Sequence, residues 1–308
     1  MLLHVRHETL YHYTPAVENA QHALHLRPGN SPSQTVLQHA LHISPQPAQQ
    51  REATDGFGNS KLFFSLQTSH DELQVIADSV VQTQVGPAHV EPTAEVAWEG
   101  VREAFRYRAG AAYNSAWEFA FASPYVPRHE AFADFAKPSF TAGRPLLEAA
   151  HELMSRIHSA MSYDDESTDV DTPALVALQQ GKGVCQDFAH IMVACCRAMG
   201  LPARYVSGYM LTQPAPGQPR LIGCDASHAW ASVYCPNAGG EKSVAPTGQW
   251  FDFDPTNNRA PGEDYVTLAT GRDFLDVSPL RGVIRGGARH TLDVAVTVTP
   301  MQSAAESV

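Results

Sequence analysis

A chain of 308 residues can hold one large or two modest domains, and 44 % apolar with 17 % charged residues is ordinary for a globular protein. A formal charge of −11 excludes a nucleic-acid binder built on clustered Lys and Arg, and it disfavours an anionic membrane surface. No run approaches the roughly 18 apolar residues of a membrane span.

The N-terminal stretch from Met1 to Glu8 has no continuous apolar segment, so no signal peptide is expected. Residues 1–88 then read as an antiparallel β domain, sandwich-like or barrel-like. Short runs such as His39-Ala40-Leu41-His42-Ile43 and Leu73-Gln74-Val75-Ile76-Ala77 are separated by turn signals, among them Arg27-Pro28-Gly29-Asn30 and Asp55-Gly56-Phe57-Gly58-Asn59. Residues 89–141 form a connecting, partly helical region broken at Ser123-Pro124 and Lys137-Pro138. From 142 to 290 the chain mixes helices and strands. Leu146, Leu147, Ala150, Leu153, Met154 and Ile157 make an amphipathic helix whose stripe is core packing. An acidic loop follows (Asp164, Asp165 and Glu166 read as solvated), then a short helix near Pro173–Leu178. A helix from Cys185 to about Met199 ends at Gly200-Leu201-Pro202. Strands are expected at Ala203–Met210, Ala229–Tyr234 and Gln249–Asp254. The last segment, 291–308, begins with the alternating run Thr291–Val298, a strand able to pair back with the N-terminal domain.

The five cysteines are odd in number and confined to 185–235, which fits free thiols in a reducing cytoplasm better than a disulfide framework. The fifteen histidines are mostly scattered singly, as surface or hydrogen-bonded residues. Cys185 stands apart. Gly181-Lys182-Gly183 places it in the first turn of a helix, where unpaired N–H groups favour a thiolate and can also receive an oxyanion. At about 100° per residue, Ala189, Met192, Cys196 and Met199 fall on its side, so the helix should be buried along that face. Cys196 is about 16 Å further on and, with Cys195, reads as a small buried hydrophobe. His190 lies about 140° around the helix and is set aside as a base. Asp187 is expected to make a structural hydrogen bond. A zinc site from Cys185, Cys224, Cys235 and His228 is the competing reading, and the lack of a close C-x-x-C pair counts against it.

His228 opens a strand whose face it shares with Trp230, Ser232 and Tyr234. On the next strand Trp250, Asp252 and Asp254 share a face. An aspartate there can orient the imidazole and leave its other nitrogen for the thiol. Alternation leaves Asp252 and Asp254 both open.

These residues resemble the transglutaminase-like superfamily, relatives of papain-like cysteine peptidases. The resemblance lies in Gly183-Val184-Cys185, Asp187-Phe188-Ala189-His190, Arg197–Tyr209, His228-Ala229-Trp230 and Trp250–Asn257. Tyr11-His12-Tyr13, Leu26-Arg27-Pro28, Asp55–Asn59 and Gly271–Gly282 look like the bacterial branch that carries an N-terminal β domain. The resemblance implies an α+β fold, with a transglutaminase-like core at 142–290 in which a Cys-bearing helix packs on an antiparallel sheet. It also implies Cys185 as nucleophile, His228 as general base and acid, and, from the Asp-Pro-Thr element, Asp254 as orienter. The backbone N–H of Cys185 is the implied oxyanion donor. Tyr163 and Arg272 are secondary candidates for substrate contact, with core or salt-bridge roles as the alternative.

The function so implied is cysteine-dependent acyl chemistry on a peptide, protein or small amide through a thioester. Hydrolysis is expected ahead of cross-linking. Amine transfer by a true transglutaminase is one alternative, and a non-enzymatic peptide-binding module is another. No cofactor, metal, nucleic-acid or membrane partner is expected.

Overall fold

The computed structural model describes residues 1–85, 96–110, 113–212, 227–237, 247–287 and 289–301. The chain opens with an unusually long strand, β1 (Leu2–Leu24), followed by β2 (Gln34–Ser44), β3 (Gln49–Thr54), β4 (Ser60–Leu66) and β5 (His70–Thr83). They form an antiparallel sheet in the order β2-β5-β1-β4-β3. The first half of β1 pairs with β5 and its second half with β4, and the register shifts between His12 and Val17. Pro15 lies in that gap and has no N–H to offer a ladder. Apolar side chains from both halves, including Leu3, Val5, Ala20, Leu24, Phe64, Leu73 and Val75, form one buried core.

The chain returns to this sheet at its end. β12 (Leu280–Gly286) and β13 (Arg289–Pro300) both pair antiparallel with β1, β12 along its second half and β13 along its first. The large sheet therefore reclaims the chain at 280, whereas the sequence placed that boundary at 291. The run Leu280-Arg281-Gly282-Val283-Ile284-Arg285-Gly286 is interrupted by glycine and arginine, so it lacks the alternation that marks Thr291–Val298.

Between these strands lie α1 (Trp98–Ala104), a 3-10 turn (Ser115–Ala120), α2 (Glu130–Ala136), α3 (Leu146–Ala160), β6 (Ser162–Tyr163), α4 (Ala174–Gln180), β7 (Lys182–Gly183) and α5 (Cys185–Ala198). A second sheet follows: β8 (Ala203–Met210), β9 (Ser227–Pro236), β10 (Gly248–Phe253) and β11 (Tyr265–Gly271), antiparallel in the order β10-β9-β8-β11. α6 (Phe274–Val277) leads to β12. The fold is α+β, with α5 packed against β8 and β9.

Helix α5 is buried from Gln186 through Arg197. The apolar stripe led us to expect burial along one face. α2, α3 and α4 cover other sides, and the polar positions are enclosed too: His190 lies against Tyr125, Tyr205 and Phe274, and Arg197 among Phe119, Ser123, Ala203 and Arg272. Arg197 is accommodated by its acceptors. Nε donates to the carbonyls of Phe119 (2.8 Å) and Ala203 (3.0 Å), and Nη2 to those of Ala203 (2.8 Å) and Arg272 (2.7 Å). Nη1 reaches Ser123 Oγ at 3.1 Å. Among the described residues, no helix is long and apolar enough to cross a membrane.

Candidate active site

Three elements converge at one end of α5. Gly181, with φ 65°, ends α4 in the left-handed conformation that favours glycine. Two residues on, a Cβ at Gly183 would lie 2.5 Å from Asp187 Oδ2. That Oδ2 accepts from the Val184 N–H at 2.9 Å and from Thr168 Oγ1 at 2.7 Å. Gly183 thus lets Asp187 close over the start of the helix, the structural role expected of it. Burial pushes the Asp187 carboxyl above its ordinary pKa. Cys185 is the first helical residue, where its own N–H lacks an intrahelical acceptor by position. Cys185 is half-buried, whereas Cys195, Cys196 and Cys235 are buried.

His228 stands at the start of β9 and is 6 % exposed. Its Nε2 lies 2.7 Å from Asp254 Oδ2. Since Asp254 occupies Nε2, Nδ1 is the nitrogen left for the Cys185 thiol, which is near enough to act on the charge of this ring. Burial works against a charged imidazole. The hydrogen bond to Asp254 and the nearby Cys185 outweigh it and push the pKa of His228 up to about 10.

Asp254 is fully buried and begins a turn closed by backbone pairing with Arg259. Its Oδ1 accepts from the N–H groups of Thr256 (2.9 Å) and Asn257 (3.2 Å). Its Oδ2 also accepts from Asn257 Nδ2 (2.8 Å) and from the Tyr265 hydroxyl (2.7 Å). Burial alone would raise this carboxyl's pKa, but the imidazole, Asn257 and Tyr265 hold it below the ordinary range. α3 supports the turn from beneath: His158 Nδ1 lies 3.0 Å from the Thr256 carbonyl, and Ser155 Oγ donates to Asn258 Oδ1 at 2.9 Å.

Cys185, His228 and Asp254 are therefore brought together. Asp252 is not. In the β9–β10 register it lies opposite Ser232, four residues along β9 from His228, or about 13 Å. His190 is buried between the Tyr125 and Tyr205 rings, accepts from the Phe274 N–H at 3.1 Å, and is pushed down to about 3 by burial. Cys235 sits seven residues beyond His228 on β9, so it cannot share a metal with it, and Cys224 lies outside the described residues. Arg272 is tied to Asp276 at 2.8 Å and stands over the Phe57 ring, a structural position. Tyr163 is 58 % exposed, and partial burial of its phenol, with Cys185 nearby, raises its pKa.

Two members of the site escaped the sequence reading, Asn257 and Tyr265. Asn257 sits in an Asp-Pro-Thr-Asn run with the composition of an Asx turn. Tyr265 begins the run Tyr265-Val266-Thr267-Leu268, rich in β-formers and bounded by Pro261-Gly262 and Gly271, a strand signal that the reading passed over.

Residues 133–255 match the family model of the transglutaminase-like superfamily, and residues 3–82 match that of the bacterial transglutaminase-like N-terminal region. An uncharacterized protein of Mycobacterium tuberculosis is 37 % identical over 301 residues, covering 97 % of this chain and 92 % of that one. A protein-glutamine gamma-glutamyltransferase of Pseudomonas aeruginosa is 27 % identical over 136 residues, 44 % of this chain and 19 % of that protein. A crystal structure of a candidate cysteine protease from Cytophaga hutchinsonii shares the fold, with a TM-score of 0.73 at 19 % identity, over 98 % of this chain and 91 % of that one. The chain belongs to the transglutaminase-like superfamily, in the bacterial branch that carries this N-terminal region.

Proposed function

We propose that the protein is a cysteine-dependent amide hydrolase, a protease or amidase with Cys185 as nucleophile, His228 as general base and acid, and Asp254 as orienter. One observation carries the reading: a half-buried thiol at a helix N-terminus adjoins a buried imidazole whose Nε2 lies 2.7 Å from a buried carboxylate.

The steps follow from these positions. The Cys185 proton passes to His228 Nδ1, and the sulfur attacks the carbonyl carbon of a peptide-like amide. The oxyanion so formed is received by the free backbone N–H of Cys185. As the intermediate collapses, the C–N bond breaks and His228 gives its proton to the leaving amine. A thioester remains on Cys185. Water, deprotonated by His228, then attacks this thioester, releases the acid and restores the thiol. The half-exposed position of Cys185 lets water reach the thioester directly, which favours hydrolysis. Transfer to an amine is the second reading, favoured by the similarity to the Pseudomonas transferase.

Alkylation by iodoacetamide, followed by peptide mapping, tests the reading. Cys185 is expected to label ahead of the other thiols at neutral pH, and His228→Ala should slow it by at least about tenfold, the loss of one charge-assisted hydrogen bond. Equal labelling of all thiols, or an unchanged Cys185 rate in His228→Ala, contradicts it.

A further inference from the structure

Strand β11 is the outer strand of its sheet, and it carries Tyr265. Its inner edge pairs with β8, with an irregularity between Thr267 and Ala269. The outer edge of such a strand presents N–H and C=O groups that cost free energy if buried without partners. The N-terminal β domain supplies partners from its side chains. The Gln34 carboxamide donates to the Thr267 carbonyl at 2.7 Å and accepts from the Thr267 N–H at 2.8 Å. The Asn59 carboxamide does the same for Thr270, at 2.7 and 2.8 Å. Each amide stands in for a neighbouring strand residue, one on each side of the irregular stretch. Both are buried, with Gln34 4 % and Asn59 8 % exposed.

The β domain builds these two amides into position. Asp55 Oδ1 accepts from the N–H groups of Phe57 (2.8 Å) and Asn59 (2.9 Å), and its Oδ2 accepts from Asn59 Nδ2 at 2.8 Å. The turn Asp55-Gly56-Phe57-Gly58-Asn59, which no step of the chemistry uses, is thereby a device for presenting one carboxamide. Gln34 Nε2 is held a second time by the Gly29 carbonyl at 2.7 Å. Val266 and Leu268 of β11 bury their side chains in the β-domain core.

We propose that the β domain is a clamp on β11, and that Gln34 and Asn59 are positioning residues for the chain of hydrogen bonds from Tyr265 through Asp254 to His228. The proposal rests on the reading of Cys185, His228 and Asp254 given above. A hydroxyl-to-carboxylate bond of 2.7 Å leaves little slack, so an unsupported β11 edge would let Tyr265 drift from Asp254. The titratable and charged groups facing Asp254 are His228 from β9, Tyr265 from β11 and Arg259 from the turn, which is paired with Asp264; Cys185 lies beyond His228. With the Tyr265 donor gone, Asp254 keeps its proton to higher pH. His228 then loses its counter-charge, and the thiolate it supports is lost at the acid end.

The test is the pH profile of Cys185 alkylation in the full chain, for wild type, Tyr265→Phe, Gln34→Ala, Asn59→Ala and Tyr265→Phe/Asn59→Ala, each first checked for folding by circular dichroism. Tyr265→Phe should move the acid limb up by about one pH unit. Gln34→Ala and Asn59→Ala should move it the same way, and the double variant no further than Tyr265→Phe alone, since both changes act through one bond. A role confined to stability lowers the melting temperature and leaves the limb in place. Unshifted limbs in both amide variants, or additive shifts in the double, overturn the clamp. Where Asn59→Ala does not fold, Gln34→Ala and the double variant Tyr265→Phe/Gln34→Ala carry the same test. An unchanged profile in His228→Ala would instead sink the underlying reading of the site.

Discussion

The Asp254 carboxylate collects donors from three parts of the chain: His228, the turn residues Thr256 and Asn257, and Tyr265. Asp252, two residues earlier, lies opposite Ser232 and near the Arg204 guanidinium, which its charge supports. Alternation does not separate the two, because both fall on one face of the strand that the sequence predicts at Gln249–Asp254, whereas β10 ends at Phe253. Pairing register and the turn closed between Asp254 and Arg259 separate them; the register is not written in local composition, whereas the turn is, in Asp254-Pro255-Thr256-Asn257. Asp254→Asn should slow neutral-pH alkylation of Cys185 by about ten- to hundredfold, while Asp252→Asn should stay within about twofold. Equal losses in the two variants would contradict this assignment. Gly181-Lys182-Gly183 is a turn by composition, but the tighter requirement at Gly183, room for Asp187 over the helix start, arises only in the packed helix terminus.

At the scale of elements, the sequence reading worked where the signal is local. The helix from Cys185 ends at Ala198, as Gly200-Leu201-Pro202 foretells, and β8 occupies Ala203–Met210 as read. β11 was not read, although its composition is that of a strand. It takes its place through partners far away in sequence, with β8 on one edge and two side-chain amides on the other. Packing at Gly208 shows the same dependence. A Cβ there would meet the Val266 carbonyl at 2.2 Å and the Trp230 ring at 2.5 Å, so β8, β9 and β11 touch at a single glycine. Trp230 in turn stands edge-on to Tyr265, with ring centroids 5.4 Å apart. The aromatic wall behind His228 is thus a product of three strands.

Over the whole molecule, β1 joins the two ends of the chain, and the β domain meets the second sheet through buried groups. His7, 2 % exposed, hydrogen-bonds Tyr209 across that junction at 3.1 Å. His22 stacks on Phe64, and neither of its ring nitrogens has a partner among the described residues. Burial lowers both histidines from 6.5 to about 4, with nearby His70 adding to the shift at His22. The folded protein keeps these rings neutral while the unfolded chain protonates them. Their contribution is therefore fully present above pH 6.5 and is lost as pH falls from 6.5 toward about 4. The melting temperature should drop across that window, and His22→Leu should soften the drop without destabilising the protein at neutral pH. A melting temperature flat across the window, or an unaltered slope in His22→Leu, would refute this account of the buried histidines.

The central claim is that Cys185 takes an acyl group from an amide-like substrate. Rapid acid quench of the protein with the p-nitrophenyl ester of an N-blocked amino acid, read by intact mass and peptide mapping, tests it most directly. The account predicts one acyl group on Cys185, discharged with time by water, and no adduct on the buried Cys195, Cys196 or Cys235. An adduct that forms equally in Cys185→Ser and His228→Ala, or no adduct on Cys185 while ester is consumed, would contradict it.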